Sequence, residues 1–137
     1  MERADLGAMV GRLGRRLFAM EEPILAAHEI SMWAYVVLTA LKDRPMRTQA
    51  ALAAAIGADK TRLIPVLDDL QRRGLITREP DPADRRVRLL SLTSAGGKLH
   101  AAVQGDIRAA EETLLRQVAE EDRSAFLAAL QTLDETR

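Results

Sequence analysis

Cysteine is absent from this chain of 137 residues, and histidine occurs only twice. Without cysteine the chain has no disulfide, no thiolate metal site, no cysteine nucleophile and no cysteine redox sensor. The two histidines lie far apart in the sequence and do not supply the clustered ligands of a zinc site. The composition therefore predicts neither a metal nor a cofactor.

Long apolar runs are also lacking. No run approaches the roughly 18 residues that a membrane-spanning helix requires. The N-terminus carries Glu2 and Asp5 and has no apolar signal segment. We therefore expect no membrane partner and a cytoplasmic location. The hydrophobic content of 47% is enough for a core, so the chain is expected to form one compact subunit.

The signatures of common enzyme classes are missing. The sequence has no glycine-rich phosphate loop, no nucleophile motif with a matching base, and no HExxH metal pair. The paired carboxylates at 111–112 and 120–121 fall on polar helix faces, where they favour solvation. We expect a protein that is not an enzyme.

Charge is balanced overall but unevenly distributed. Lys and Arg number 10 against 6 Asp and Glu in residues 44–88, whereas the counts are 5 against 6 in residues 1–43 and 5 against 8 in residues 89–137. A basic segment between acidic flanks favours contact with double-stranded DNA, although a solvated arginine face would have the same composition.

Both flanks have the apolar spacing of amphipathic helices. Leucine, valine and isoleucine recur every three or four residues, as helices require. The three stripes are Leu6, Met9, Val10, Leu13 and Leu17; Leu99, Val103, Ile107, Leu114 and Val118; and Phe126, Leu127, Leu130 and Leu133. A small middle segment cannot cover all of them, so we expect a homodimer.

The middle segment begins with a helix-turn-helix pattern. An apolar helix is predicted over residues 32–42, and Thr48 is a suitable N-cap for the next helix. Ala53, Gly57 and Leu63 then provide a small residue, a flexible turn residue and an apolar residue at spacings of four and six. Two helices that cross closely need this combination.

The second helix of this pair carries the candidate DNA contacts. Asp59 can cap it, and Lys60, Thr61 and Arg62 follow at its N-terminus. These side chains can reach phosphates and base edges in a major groove, although the same residues also suit an ordinary solvated surface.

Two features restrict how this helix can approach DNA. Pro65 lacks the amide that would bond to Thr61, so we expect a kink or a loosened first turn. Asp68 and Asp69 would repel phosphates. Only the N-terminal part of the helix is therefore expected to enter the groove.

A β-hairpin is predicted to follow, with one strand at 75–79, a turn at 80–84 and a returning strand at 87–92. Arg85 and Arg86 would then lie at its tip, where a guanidinium fits a narrow minor groove. Asp84 is expected to pair with a basic side chain and hold the shape of the tip. The alternative is an exposed hairpin whose charges serve solubility.

The hairpin and its flanks carry a specific motif. Gly74-Leu75-Ile76, followed by Asp84-x-Arg86-x-x-x-Leu90-x-Leu92-Thr93-x-x-Gly96, resembles the signature of the MarR-type (multiple antibiotic resistance regulator) winged helix-turn-helix transcription factors. The resemblance extends over essentially the whole chain. It implies a mainly α fold with a small β-hairpin wing, in which residues 32–96 bind DNA and residues 1–31 and 97–137 form a helical dimerisation region. It also implies a homodimer that binds a palindromic promoter site, usually as a repressor.

The resemblance assigns roles to individual residues. Lys60, Thr61 and Arg62 would read the major groove, Arg85 and Arg86 the minor groove, and Asp84 would brace the wing. Many family members release DNA when a small aromatic or lipophilic effector binds between the dimerisation and DNA-binding parts. The positions that would line such a pocket are Met20, Ile24, His28, Trp33 and Tyr35, although Trp33 and Tyr35 also suit a core. The chain lacks the cysteine of the peroxide-sensing members.

The alternative from another functional class is a winged-helix protein–protein interaction module that does not bind DNA. A mobility shift of a labelled fragment from the upstream region of its own gene, with and without excess nonspecific DNA, discriminates between the two.

Overall fold

A computed structural model describes residues 2–46 and 48–136 of the chain. The elements in chain order are α1 (Leu6–Ala27), α2 (Met32–Asp43), α3 (Gln49–Ile56), α4 (Lys60–Arg72), β1 (Ile76–Asp81), β2 (Asp84–Leu92), α5 (Ser94–Leu115) and α6 (Glu120–Glu135). The predicted dimerisation region begins at residue 1 and ends at residue 137, and both lie outside the described residues.

The predicted fold class, mainly α with a small hairpin wing, is confirmed. Helices α1 and α5 pack along each other, and α2 lies at the centre against α3, α4, α5 and β2. Val37 and Leu38 of α2 and Leu67 of α4 are fully buried in the core. The apolar helix predicted over residues 32–42 therefore forms the middle of the molecule.

Side-chain caps set the start of four helices. The residues that accept a hydrogen bond from a backbone amide of the first turn are Ser31, Thr48, Asp59 and Thr93. Each satisfies a donor that the helix itself leaves without a partner. The predicted caps Thr48 and Asp59 are confirmed.

The crossing of α3 and α4 has the geometry that the sequence predicts. Ala53 and Leu63 are 4% and 1% exposed, and Gly57 takes the left-handed conformation with φ +70°. Glycine adopts that conformation without a Cβ clash. Helix α4 runs through Pro65 without a break, because Leu63 and Leu67 hold the helix against the core on both sides of the proline.

The hairpin differs from the sequence-based expectation in its turn. The strands extend to Asp81 and from Asp84, which leaves a two-residue turn. The register passes from Pro80 opposite Arg88 to Asp81 opposite Asp84, so residues 85–87 form a bulge on β2. Arg85 and Arg86, predicted to lie at the tip, follow the turn directly and lie in the bulged distal end of β2, beyond the pair Pro80–Arg88, where a bulge redirects side chains.

The base of the wing is tied to its neighbours by hydrogen bonds. The Thr93 hydroxyl donates to the Gly74 carbonyl at 2.7 Å and accepts from the Gly96 amide at 3.0 Å. Met46 pairs with Leu90 through two backbone hydrogen bonds of 2.9 and 2.7 Å. Met46, in the connection between α2 and α3, thus forms an isolated antiparallel bridge to β2.

A sharp corner joins α1 and α2. Glu29 takes a positive φ of 55°, and the Ile30 amide donates to the Leu25 carbonyl at 3.0 Å. His28, the C-cap residue of α1, contacts Asp106 of α5 at 2.7 Å.

Among the described residues no single helix is long and apolar enough to cross a membrane. Helices α1 and α2 reach that length and apolar content only when they are taken together, and a bend of 86° separates them.

The flanking helices leave a large apolar surface uncovered. Among the described residues, α6 contains no buried side chain. A groove of about 450 Å³ lies between α1, α5 and α6. Its apolar lining residues are Leu13, Leu17, Leu114, Leu115, Val118, Phe126, Leu127 and Leu130. The predicted apolar stripes therefore meet one another. Val103 and Ile107 of the second stripe are buried in the core, whereas Phe126, Leu127 and Leu130 of the third remain exposed in one chain.

Candidate nucleic-acid interface

The N-terminal turn of α4 is at the surface. Lys60, Thr61 and Arg62 are all exposed, whereas Leu63 and Leu67 of the same helix are buried. Residues two positions apart lie about 200° apart around a helix axis. The structure therefore places Lys60 and Arg62 on opposite flanks of α4 and does not bring them together.

A basic groove of about 620 Å³ runs between α4, the N-terminus of α3 and the wing. Its lining residues are Thr48, Gln49, Ala50, Lys60, Gln71, Arg78, Arg86, Val87 and Arg88. Four of them are cations and none is an acid, so the groove presents positive potential. It brings together two residues predicted from the sequence, Lys60 and Arg86, and adds Arg78 and Arg88, which were not predicted.

Arg78 connects three elements at the floor of this groove. From β1, its Nε donates to Gln71 Oε1 of α4 at 2.6 Å, and its Nη1 donates to Gln49 Oε1 of α3 at 2.9 Å. Its Nη2 donates to Asp68 Oδ1 of α4 at 2.5 Å. The side chain is 20% exposed. A planar guanidinium with several donors in fixed directions suits this role, because one residue can satisfy three acceptors.

These contacts change the role of the acidic residues on α4. Asp68 pairs with Arg78, and Asp69 pairs with Arg72 and, at 3.6 Å, with Arg73. Each carboxylate is therefore accompanied by a guanidinium that offsets its repulsion of phosphate. One sequence signal could have identified Arg78: it lies two residues after the buried Ile76, on the same face of β1, where a charge requires partners.

Arg86 is exposed but its orientation is constrained. Its side chain is 92% exposed, and Asp84 Oδ1 accepts from both its backbone amide at 3.1 Å and its Nε at 3.2 Å. Asp84 thus lies beside a basic side chain at the start of β2. Arg85 is exposed next to it. Both arginines lie on the wing, and Arg86 lines the groove together with Lys60 of α4.

Tyr35, a predicted effector contact, stacks on the buried His100 of α5. The ring centroids are 5.2 Å apart and the planes differ by 9°. The Thr39 hydroxyl donates to the Tyr35 carbonyl at 2.9 Å and therefore accepts from His100 Nε2–H, also at 2.9 Å. His100 is 1% exposed, and its burial, reinforced by the positive charges of Lys42 and Arg108, lowers its pKa.

Acidic groups lie near this stack. Burial, together with the negative charge of Glu111, raises the pKa of Glu21 on α1. Burial also raises the pKa of Tyr35, and Glu21, Glu111 and Arg108 all act on it electrostatically. A half-buried polar cluster therefore lies where α1, α2 and α5 meet.

The other predicted effector contacts differ in their surroundings. His28 is engaged with Asp106, Ile24 packs partly buried against the core, and Met20 and Trp33 are half-buried. A nearby pocket of about 520 Å³ has a different lining: Phe18, Glu22, Leu25, Ala26, Ile30, Ser31 and Met32. The structure does not bring the five predicted residues together in that pocket.

Comparison with known proteins yields consistent similarities. The profile of the MarR family matches residues 30–87. The transcriptional regulator HosA of Escherichia coli O111:H- is 36% identical over 93 residues, which cover 68% of this chain and 69% of HosA.

Two solved structures extend the similarity to the fold. The transcriptional repressor CouR bound to a 23-mer DNA duplex is 28% identical, with a TM-score of 0.81 over 96% of this chain and 93% of that one. CouR from Rhodococcus jostii RHA1 bound to p-coumaroyl-CoA has a TM-score of 0.80 at 24% identity and covers 99% of this chain and 98% of that one.

Proposed function

The chain belongs to the MarR family of transcriptional regulators, and from that premise we propose that it is a homodimeric repressor that binds a palindromic promoter site. The observation that carries this proposal is the basic groove between α4 and the wing, with exposed cations on both sides. Positive potential along a groove of this kind attracts the phosphate backbone and positions the reading elements.

In this proposal residues 32–96 form the DNA-binding domain. Lys60, Thr61 and Arg62 contact phosphates and base edges of the major groove from the start of α4. Arg85 and Arg86 reach the adjacent minor groove from the bulge of β2. Asp84 acts through Arg86 by fixing the direction of its guanidinium.

Residues 1–31 and 97–137 form the dimerisation region. The support is the uncovered apolar groove between α1, α5 and α6, which needs a partner of matching hydrophobicity. Phe126 and Leu130 are 42% and 48% exposed in one chain. Contiguous exposure of this kind is costly for a free monomer, and a second copy buries the same surface symmetrically.

A small aromatic or lipophilic effector is the proposed regulator of DNA release. Its site is the junction of α1, α2 and α5 around Tyr35, where an aromatic stack adjoins the half-buried carboxylic group of Glu21. Related support comes from CouR, whose structure contains p-coumaroyl-CoA. A ligand wedged at this junction would move α2, which packs on both α3 and α4, and so change the position of the reading helix.

The proposed DNA-binding mode has a geometric test. Duplexes recovered from random sequence by the purified protein should contain an inverted repeat whose half-site centres lie about 34–36 Å apart, one helical turn. Insertion of about 5 base pairs between the half-sites should abolish tight binding, because it rotates one half-site to the opposite face. Affinity should fall steeply with salt, with a log–log slope of about −0.9 per phosphate neutralised.

Aspartate substitutions in the apolar groove test the proposed dimer interface. Phe126→Asp combined with Leu130→Asp should give monomers that lose the spacing preference, while Ala128→Asp on the opposite face of α6 should leave the dimer intact. Sedimentation velocity reports the oligomeric state. Binding that tolerates the insertion and varies little with salt would instead support the interaction-module alternative.

A further inference from the structure

The reading helix exposes one large apolar side chain. Ile64 is 40% exposed, and among the described residues of 32–96 it is the only large hydrophobic residue with an exposed side chain. The other nine exposed large apolar residues in the described part of the chain lie on the flanking segments that we assign to the dimer. Burial in the proposed dimer therefore accounts for those nine exposed residues, but it does not account for the exposure of Ile64.

The surroundings of Ile64 are apolar at the middle of α4. Thr61, Ile64 and Pro65 are all exposed and follow the i, i+3, i+4 spacing of one helix face, away from the buried Leu63 and Leu67. Pro65 offers ring carbons and no amide, and Thr61 offers a methyl group beside its hydroxyl. The face that would meet base edges is therefore carbon-rich over one full turn.

The charged residues of the next turn are already engaged within the protein. Asp68 accepts from Arg78, and Arg72 donates to Asp69. These pairs leave fewer charged groups to form hydrogen bonds with base edges beyond the first turn of α4. The middle of the helix is thus suited to read apolar features of the groove.

We propose that Ile64, with Thr61 and Pro65, recognises thymine through its C5-methyl group in each half-site. This inference rests on the proposed insertion of α4 into the major groove. Thymine displays the one methyl group among the major-groove base edges, and apolar side chains contact it. A protein partner fits less well, because a single exposed isoleucine beside a groove lined by four cations is too small and too strongly flanked by charge for a protein interface.

Deoxyuridine tests the proposal because it removes only the methyl group. A duplex selected by the full-length protein is resynthesised with deoxyuridine in place of each half-site thymine in turn, and dissociation constants are measured by fluorescence anisotropy. At the recognised position the wild-type protein should bind the thymine duplex about fourfold more tightly per half-site, the factor that corresponds to burial of one methyl-sized group. Ile64→Ala should lose this preference for thymine over deoxyuridine.

A matched variant separates methyl recognition from general affinity. Arg62→Ala should weaken binding to the thymine and deoxyuridine duplexes by the same factor and preserve their ratio. Circular dichroism and thermal unfolding verify that the Ile64 variant folds, as expected for a change at an exposed position.

Equal binding of thymine and deoxyuridine duplexes at every position, with sequence preference otherwise intact, would overturn methyl recognition and leave the proposed function standing. Retention of the thymine preference by Ile64→Ala would overturn the assignment to Ile64. Failure to select any duplex would overturn the proposed function and this inference together.

Discussion

The backbone of Gly96, at the start of α5, lies directly against the carbonyl group of Leu75. A Cβ atom added at Gly96 would be 2.1 Å from the Leu75 carbonyl oxygen and 2.7 Å from a Leu92 methyl carbon. The backbone atom cannot move aside as a flexible side chain could. This close approach explains why the Leu92-Thr93-x-x-Gly96 motif places glycine there: it allows α5 to start against the base of the wing.

Gly96→Ala should therefore destabilise the protein by about 1–3 kcal/mol or more, the usual cost of overpacking a well-packed site. The measurement is the denaturation midpoint in urea at fixed protein concentration. Gly105→Ala, in the same helix, is the control: its added Cβ would meet nothing within 4 Å, so it should stabilise the helix by about 0.5–1 kcal/mol. Equal effects of the two substitutions would contradict the packing argument.

Arg78 should influence DNA binding through the charge of Asp68. Arg78→Gln leaves that carboxylate without its guanidinium near the phosphates, so affinity should fall on the order of tenfold, about 1.4 kcal/mol. Asp68→Asn in the Arg78→Gln background should restore most of the affinity, because it removes the released charge. Anisotropy titrations of the four proteins give the coupling free energy.

The control for this cycle is Arg73→Gln. Asp69 retains its contact with Arg72 when Arg73 is removed, so the change in affinity should be small. If Asp68→Asn failed to rescue Arg78→Gln, the role of Arg78 would be direct contact or support of the fold rather than charge compensation.

Much of this architecture was predictable because it depends on local chemistry. Thr48, Asp59 and Gly57 are residues whose side chain, or lack of one, determines a cap or a turn within a few positions. The apolar spacing of α2 and α4 likewise gave their buried faces. Such signals are contained in short windows, so one sequence suffices to interpret them.

The bulge and the groove required information about contacts across the fold. Pairing of Asp81 with Asp84 shortens the turn and shifts Arg85 into the strand, a choice of register that alternation alone does not determine. The contact between Arg78 and Gln49 spans 29 positions and depends on how α3 crosses α4. The stack of Tyr35 on His100 likewise joins two helices that lie far apart in the sequence.

Arg85 and Arg86 of the wing should contribute to affinity without contributing to folding. Arg85→Ala with Arg86→Ala removes two exposed side chains, so the thermal midpoint should be unchanged. Operator binding should weaken by about 1–3 kcal/mol for each arginine that contacts the DNA specifically. Asp84→Ala alone should also weaken binding, and it should weaken binding less in the Arg86→Ala background, because Asp84 holds the Arg86 guanidinium. Additive effects, or unchanged affinity in the double arginine variant, would remove this pairing from the mechanism.

His100 should make stability depend on pH near neutrality. Burial keeps its pKa below the ordinary value of 6.5, and the charges of Lys42 and Arg108 lower it further, while Asp43 raises it. The unfolded chain thus takes up a proton at a higher pH than the folded chain does. Its contribution to stability is fully present above about pH 6.5 and is lost as the pH falls from there through the lower folded-state pKa.

His100→Gln tests this dependence, because the glutamine amide can still donate to Thr39 but does not titrate. Between about pH 7.5 and pH 5.5 the urea midpoint of the wild-type protein should fall, and that of the variant should change less. His28→Gln removes the other histidine and should retain the wild-type dependence. Protein concentration is held constant throughout, since the stability of a dimer varies with it. A pH dependence that persisted unchanged with His100→Gln would show that the buried stack with Tyr35 does not couple folding to protonation.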